Sequence, residues 1–119
     1  MDWTIDRKRP IAPQICEQLC VQISAGNYPA GCRLPSVRDI AVSAGVNPNT
    51  VQKALELLSE RGVVYPERGS GWYVSSVSDN ATEIKDGVIR EKTLQYFEVM
   101  RALGLDTDAV KQYIKEWME

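Results

Sequence analysis

The sequence predicts a mainly α fold with a small β-hairpin, followed by a C-terminal pair of helices. Three observations predict it. Apolar residues recur at the three- and four-residue spacing of helix faces in five segments. Glycines and prolines punctuate the chain between those segments. Two short runs, Val63-Val64-Tyr65 and Trp72-Tyr73-Val74, are β-branched and aromatic and flank the turn-forming Glu67-Arg68-Gly69-Ser70-Gly71.

At the N-terminus, Trp3-Thr4-Ile5 alternates apolar and polar residues and reads as a short strand or an extended arm. Asp6-Arg7-Lys8-Arg9-Pro10 follows as a charged turn, its cations either a solvated loop or an arm that touches phosphate. Residues 11–25 form a helix in which Ile11, Ile15, Leu19 and Ile23 recur with Ala12, Cys16 and Cys20 beside them, and Gly26-Asn27 stops it. Tyr28-Pro29-Ala30-Gly31 reads as a turn. Ser36-Val37-Arg38-Asp39 sets a cap residue three before a carboxylate, the pattern of a helix start. That helix runs to Ala44 with Val37, Ile40 and Ala41 facing inward, and Gly45 ends it by admitting positive φ.

Only Val46 separates this stop from the next start. Asn47 is a good N-cap and Pro48 suits the first helical position, where its missing N–H is no loss. Val51, Ala54, Leu55 and Leu58 lie on one buried face, and Gly62 is the stop. Two short helices joined by a tight glycine turn make a helix-turn-helix. Its second helix opens with Asn47, Asn49, Thr50, Gln52 and Lys53. Amides and hydroxyls there can read base edges in a major groove, and the orphan N–H groups of a helix start favour phosphate. The plainer reading is a polar face that meets water.

A helix-turn-helix followed by a hairpin is a winged helix-turn-helix, with the hairpin as the wing. The wing tip carries Arg68 between small residues, a shape suited to a narrow, negative minor groove. Gly69-Ser70-Gly71 does not read as a nucleotide loop, since it lacks the Walker Lys-Ser/Thr and opens no helix. Residues 75–82 are a polar linker. A helix over 83–103 then carries Ile84, Val88, Leu94, Phe97 and Met100, and Gly104 stops it. The last helix, capped by Asp106 or Thr107, shows Val110, Tyr113, Ile114 and Trp117 as a stripe. The chain therefore divides into a DNA-binding-type domain over 1–75 and a C-terminal αα-hairpin over 76–119. The apolar faces of that hairpin exceed what one hairpin can bury. Either a second copy covers them, as in a symmetric dimer, or the winged helix of the same chain does. The residues expected at a dimer contact are Leu94, Phe97, Met100, Val110, Tyr113, Ile114 and Trp117.

Composition narrows the chemistry. The chain has 119 residues with 44% hydrophobic and 25% charged, ordinary values for a globular protein. It contains no histidine, which removes Ser-His and Cys-His catalysis and His-ligated metals. Three cysteines in a chain with no secretory signal argue against a disulfide framework and read as small core or boundary residues. No catalytic residue, metal or cofactor is expected. No apolar run is long enough to span a bilayer, so no membrane partner is expected and the cytoplasm is the expected location. Residues 1–75 hold eight Lys/Arg against seven Asp/Glu, so any nucleic-acid affinity must come from locally placed cations.

Residues 10–74 resemble the N-terminal domain of the GntR family of bacterial transcription regulators. The resemblance rests on Pro10-Ile11 through Gln14-Ile15, on Gly31-Cys32-Arg33-Leu34-Pro35-Ser36-Val37-Arg38 and on Gly45-Val46-Asn47-Pro48-Asn49-Thr50-Val51. Leu58 to Gly62 and Arg68-Gly69-Ser70-Gly71 extend it. The short tail, with Leu103-Gly104-Leu105 before the last helix, is similar to the YtrA branch of that family. The resemblance implies a homodimer on an inverted-repeat operator of double-stranded DNA. It points to Arg38 as a DNA contact, maps the recognition-helix start onto Asn47, Asn49, Thr50, Gln52 and Lys53, and maps the wing tip onto Arg68 and Gly69.

The expected function is sequence-specific, DNA-binding transcription regulation by a homodimeric repressor. Arg33, Arg38 and Lys53 would meet phosphates, Asn49, Thr50 and Gln52 would read bases, and Arg68 would probe the minor groove. Ser36 and Ser70 complete the expected contact set. A small-molecule effector at the dimer seam is allowed for by analogy alone. The alternative is a winged-helix protein-interaction module without DNA binding, to which the near-neutral charge of residues 1–75 lends weight. An enzyme is a third reading with no motif behind it.

Overall fold

The computed structural model describes residues 1–76 and 79–119; Val77 and Ser78 of the expected linker, and the side chain of Asp79, lie outside the described residues. The elements are α1 (Ile11–Ser24), α2 (Val37–Ala44), α3 (Pro48–Glu60), β1 (Val64–Glu67), β2 (Gly71–Val74), α4 (Asp79–Ala102) and α5 (Thr107–Met118). They fall into two compact units, Met1–Lys85 and Asp86–Glu119.

The first unit is built on α1, α2 and α3. Ile15, Leu19 and Cys20 from α1 meet Val51, Ala54, Leu55 and Leu58 from α3, with Ile40, Ala41 and Ala44 from α2 closing the core. Cys16 Sγ donates to the Ala54 carbonyl at 3.2 Å, so this thiol ties α1 to α3. Burial pushes the Cys16 thiol up to about 11 and the Cys20 thiol up to about 12. Both therefore stay protonated at neutral pH and act as small core residues.

The helix boundaries follow from local chemistry. Ser36 Oγ accepts from the Asp39 N–H at 3.0 Å and caps α2. Gly45 has φ 69° and ends α2 in a left-handed turn, in which the N–H groups of Gly45 and Val46 return to the carbonyls of Val42 and Ala41. Asn47 Oδ1 then accepts from the Asn49 N–H at 2.8 Å and starts α3. Stop and start are thus one residue apart, which fixes the turn between the two helices tightly.

Trp3-Thr4-Ile5 is an extended arm that pairs with no strand among the described residues. Two glutamines of α1, one turn apart, take the place of a neighbouring strand. Thr4 N–H donates to Gln18 Oε1 at 3.0 Å and Gln18 Nε2 donates to the Thr4 carbonyl at 2.7 Å. Gln14 does the same for Asp6, and its amide also reaches the Pro10 carbonyl. Trp3 and Ile5 then pack on the core while Thr4 faces solvent.

The wing is an antiparallel pair with Val64 opposite Val74, Tyr65 opposite Tyr73, Pro66 opposite Trp72 and Glu67 opposite Gly71. Its loop is shorter than the sequence suggests, because Glu67 and Gly71 belong to the ladder. Residues 28–31 turn as expected, with Cys32 N–H donating to the Pro29 carbonyl, and the residues that follow, to which the sequence assigned no element, run along the other side of β2. Gly31 N–H donates to the Val74 carbonyl, Val74 N–H to the Cys32 carbonyl and Leu34 N–H to the Trp72 carbonyl, all at 2.8–2.9 Å. This satisfies backbone groups of β2 that would otherwise be open to solvent.

Helix α4 begins at Asp79, earlier than the expected residue 83. Ala81 is buried in the first core, Ile84 packs on it, and Asn80 Nδ2 donates to the Arg61 carbonyl at 2.9 Å, at the end of α3. Burial of Ala81 outweighs the polar character of residues 79–82. In the second unit, α4 ends at a left-handed Gly104 (φ 94°), and Asp106 caps α5 by accepting from the Ala109 N–H at 2.8 Å.

Candidate nucleic-acid interface

The core decides which face of α3 is presented. Val51, Ala54, Leu55 and Leu58 are buried, so the helix cannot rotate about its axis. Its opening turns leave Asn47, Asn49 and Lys53 exposed and Thr50 and Gln52 half-buried. The polar tip is therefore not walled off by the fold. Not every polar group there is idle. Asn47 spends its carbonyl on capping, and Gln52 Nε2 donates to Glu56 Oε1 at 3.1 Å, one turn further along the same helix. The Gln52 pairing is exposed and weak enough to exchange for a base edge.

Arg38 is exposed on the first turn of α2, where Ser36 is committed to capping. Arg33 lies in the segment that pairs along β2, opposite Tyr73. Its guanidinium rests against Gly71: a Cβ added there would sit 3.2 Å from Arg33 Nε, and Gly71 has φ 128°. Only glycine suits that place, and the Arg33 guanidinium lies beside the tip end of the wing, where Gly71 pairs with Glu67. At the tip, Arg68 and Gly69 are exposed, with Gly69 at φ 76°. Ser70 hydrogen-bonds the Tyr73 hydroxyl, and Tyr73 stacks on Tyr65 at 5.8 Å between ring centroids. The tip cation thus stands on a stiffened hairpin.

The charged N-terminal turn has internal work. Arg9 Nε pairs with Asp6 at 3.1 Å, and Arg7 Nη2 donates to the Gly45 carbonyl at 2.9 Å. Together with Thr50 and Lys53, Arg7 and Arg9 line an open cleft of about 570 Å³ alongside α3. Sequence reasoning missed three features: Tyr73, the glutamine pairing of the arm, and the strand-like run of residues 31–34. The last two depend on partners elsewhere in the chain, and Tyr73 meets Ser70 and Tyr65 only through the hairpin's register, which its residue types do not fix.

The residues expected at a dimer contact are placed unequally. Leu94, Tyr113, Ile114 and Trp117 are exposed, Trp117 by 75%, and Phe97 and Met100 are half-buried. Val110 differs: it is 1% exposed, already covered within its own chain, so no surface of it is left for a second copy. Tyr96, Tyr113, Ile114, Trp117 and Met118 line an open groove of about 190 Å³.

A helix-turn-helix with an open polar tip, a wing with a cationic end and a cation on the supporting helix define a winged helix-turn-helix DNA-binding protein. The model of the bacterial regulatory proteins, gntR family, matches residues 11–74. The HTH-type transcriptional regulator YhcF of Bacillus subtilis is 31% identical over all of this chain and 98% of its own length. The HTH-type transcriptional repressor YtrA of Bacillus subtilis is 33% identical over 90% of this chain and 83% of its own. Among solved structures, a GntR family transcriptional regulator from Listeria monocytogenes superposes with a TM-score of 0.78 at 29% identity, covering 94% of this chain and 98% of that one. YtrA from Sulfolobus acidocaldarius superposes at 0.58 and 27% identity, covering 87% and 97%. The chain belongs to the gntR family and is of the YtrA-like type. It is a DNA-binding transcription regulator.

Proposed function

We propose that the chain acts as a homodimeric repressor on an inverted-repeat operator. The observation that carries this reading is the presentation of α3: its apolar face is locked in the core while Asn47, Asn49 and Lys53 stand open. Asn49, Thr50 and Gln52 read bases in the major groove. Arg33, Arg38 and Lys53 meet phosphates and set the register, and Arg68 with Gly69 enters the minor groove. Ser36 and Ser70 assist mainly by holding α2 and the wing in shape.

The second unit supplies the two-fold. Its exposed Leu94, Tyr113, Ile114 and Trp117 are apolar side chains that a second copy would cover. A small effector that entered the groove beside Trp117 would change how two copies pack and so the spacing of their recognition helices. The repressor names of relatives such as YtrA of Bacillus subtilis support the sign of regulation. A regulator of operator DNA works where the chromosome is, which places it in the cytoplasm.

Selection of bound duplexes from a random pool tests this reading. The expected result is a palindromic consensus with half-sites about one helical turn apart. Recovery of no sequence preference, together with a salt-independent baseline, would reject it in favour of a protein-interaction module.

A further inference from the structure

We propose that Arg7 is a positioning residue for DNA binding, one that clasps the turn between α2 and α3 from the N-terminal arm and so sets the angle of α3 without touching DNA. The proposal rests on the DNA-binding reading above. Arg7 Nη2 donates to the Gly45 carbonyl at 2.9 Å and approaches the Ala44 carbonyl at 3.5 Å. These carbonyls lie at the end of α2, where the helical ladder offers no further N–H and the helix dipole is negative. The last turn of α2 has no basic residue of its own, so the charge is supplied from 38 positions away. A guanidinium suits the place because its Nη2 alone carries two N–H groups in a fixed plane, one for each carbonyl.

The packing agrees. A Cβ on Gly45 would lie 3.2 Å from Arg7 Nη2, so glycine provides room for the clasp as well as the left-handed backbone. The arm that carries Arg7 is fastened on both sides. Gln14 and Gln18 hold it to α1, and Trp3 Nε1 donates to Ser43 Oγ on α2 at 3.1 Å. The arm is therefore a brace from α1 to the turn that launches the recognition helix. Arg9 and Lys53 share the cleft beside Arg7, which makes a direct phosphate contact the competing role. The inward donation to Gly45 argues for the brace.

The test uses the full chain, the selected operator and an unrelated duplex, across a salt series, with amide exchange on the free protein. Arg7→Gln is expected to speed exchange at the amides of residues 44–47 and to lower operator affinity about tenfold. Affinity for the unrelated duplex and the salt slope should hold, because non-specific attraction does not depend on the angle of α3. Arg7→Lys keeps the charge, so a phosphate contact would survive it, whereas the clasp loses the reach and the planar N–H pair of Nη2, and turn exchange should rise. That variant also serves if Arg7→Gln does not fold. Wild-type exchange in both variants, or a salt slope reduced by about 0.9 on both duplexes, overturns the proposal. Wild-type protein that binds no duplex overturns the DNA reading and this proposal together. A wild type that binds, matched by Arg7→Gln in operator affinity, overturns this proposal alone.

Discussion

Gln14 and Asp6 exchange two hydrogen bonds as residues do across a β-ladder: Asp6 N–H donates to Gln14 Oε1 at 2.8 Å, and Gln14 Nε2 donates to the Asp6 carbonyl at 2.9 Å. Gln14 is only 4% exposed, so these backbone groups depend on it rather than on water. Removing the amide leaves the partly buried backbone groups of Asp6 and Pro10 without their partner, which costs more than the bond itself contributes. Gln14→Leu is therefore expected to lose about 2–4 kcal/mol in urea unfolding. Gln14→Glu should also destabilise, since an ionised carboxylate cannot donate to Asp6 or Pro10. Gln18→Leu, at the exposed Thr4 pairing, should lose under about 1 kcal/mol. Equal losses at both positions would refute this account of the arm.

In the proposed reading, Arg38 and Gln52 make two kinds of DNA contact. Arg38 is an exposed cation on α2, and a phosphate contact carries no sequence information. Arg38→Ala is expected to weaken binding to every duplex and to reduce the salt slope by about 0.9. Gln52→Ala should leave the slope alone and relax preference at one base position, by about 1–3 kcal/mol of discrimination. Fluorescence anisotropy across a salt series, on the operator and its point variants, distinguishes the two.

What was legible in the sequence was local. Ser36 and Asn47 act as caps within three residues of themselves, Gly45 supplies its own positive φ, and the Val51–Leu58 stripe needs only its period. The polar tip of α3 and the wing cation Arg68 were legible for the same reason. The rest required partners distant in sequence. Gln14 and Gln18 look like ordinary polar positions on a helix until the arm lies beside them. Cys32-Arg33-Leu34 carries no strand signal of its own because its ladder partner, β2, comes some forty residues later. Residues 79–82 read as linker because Ala81 finds its burial only in the folded core, where tertiary packing overrides weak helix propensity. Val110 sits in the same periodic stripe as Trp117, and periodicity cannot say which of the two is already covered.

Cys16 and Cys20 give the first unit an alkaline limit. Desolvation pushes their thiols up to about 11 and about 12, while an unfolded thiol ionises near 8.5. Above that value the unfolded state binds fewer protons than the folded one, so stability falls as pH rises. The contribution is fully present below about pH 8.5 and is lost progressively as pH rises toward the folded values. By pH 10 the loss is roughly 1–2 kcal/mol per thiol. Cys20→Ala costs packing at every pH, yet the dependence of its stability on pH between 8 and 10 should be shallower than that of the parent. Parallel curves in chemical denaturation would show that the thiols are not the source.

Val110 and Trp117 share one stripe of α5 but differ from 1% to 75% in exposure, and their substitutions should fail differently. Val110 is part of the interior of the protomer, so Val110→Ala removes buried methyl groups and leaves a void. Roughly 1–3 kcal/mol of stability should be lost at any protein concentration. Trp117 is not needed to fold the chain, since most of its surface faces outward. Trp117→Ser should leave the helical content of a dilute sample unchanged and shift the monomer–dimer equilibrium toward monomer, because a large aromatic at a contact centre carries disproportionate binding energy. If the chain acts as the proposed homodimer, operator affinity should fall with it, because the second half-site is no longer reached by an intramolecular event. Sedimentation equilibrium of both variants over a concentration series separates the effects. If Trp117→Ser dimerises as the parent does, the two-fold contact must be sought away from this face of α5.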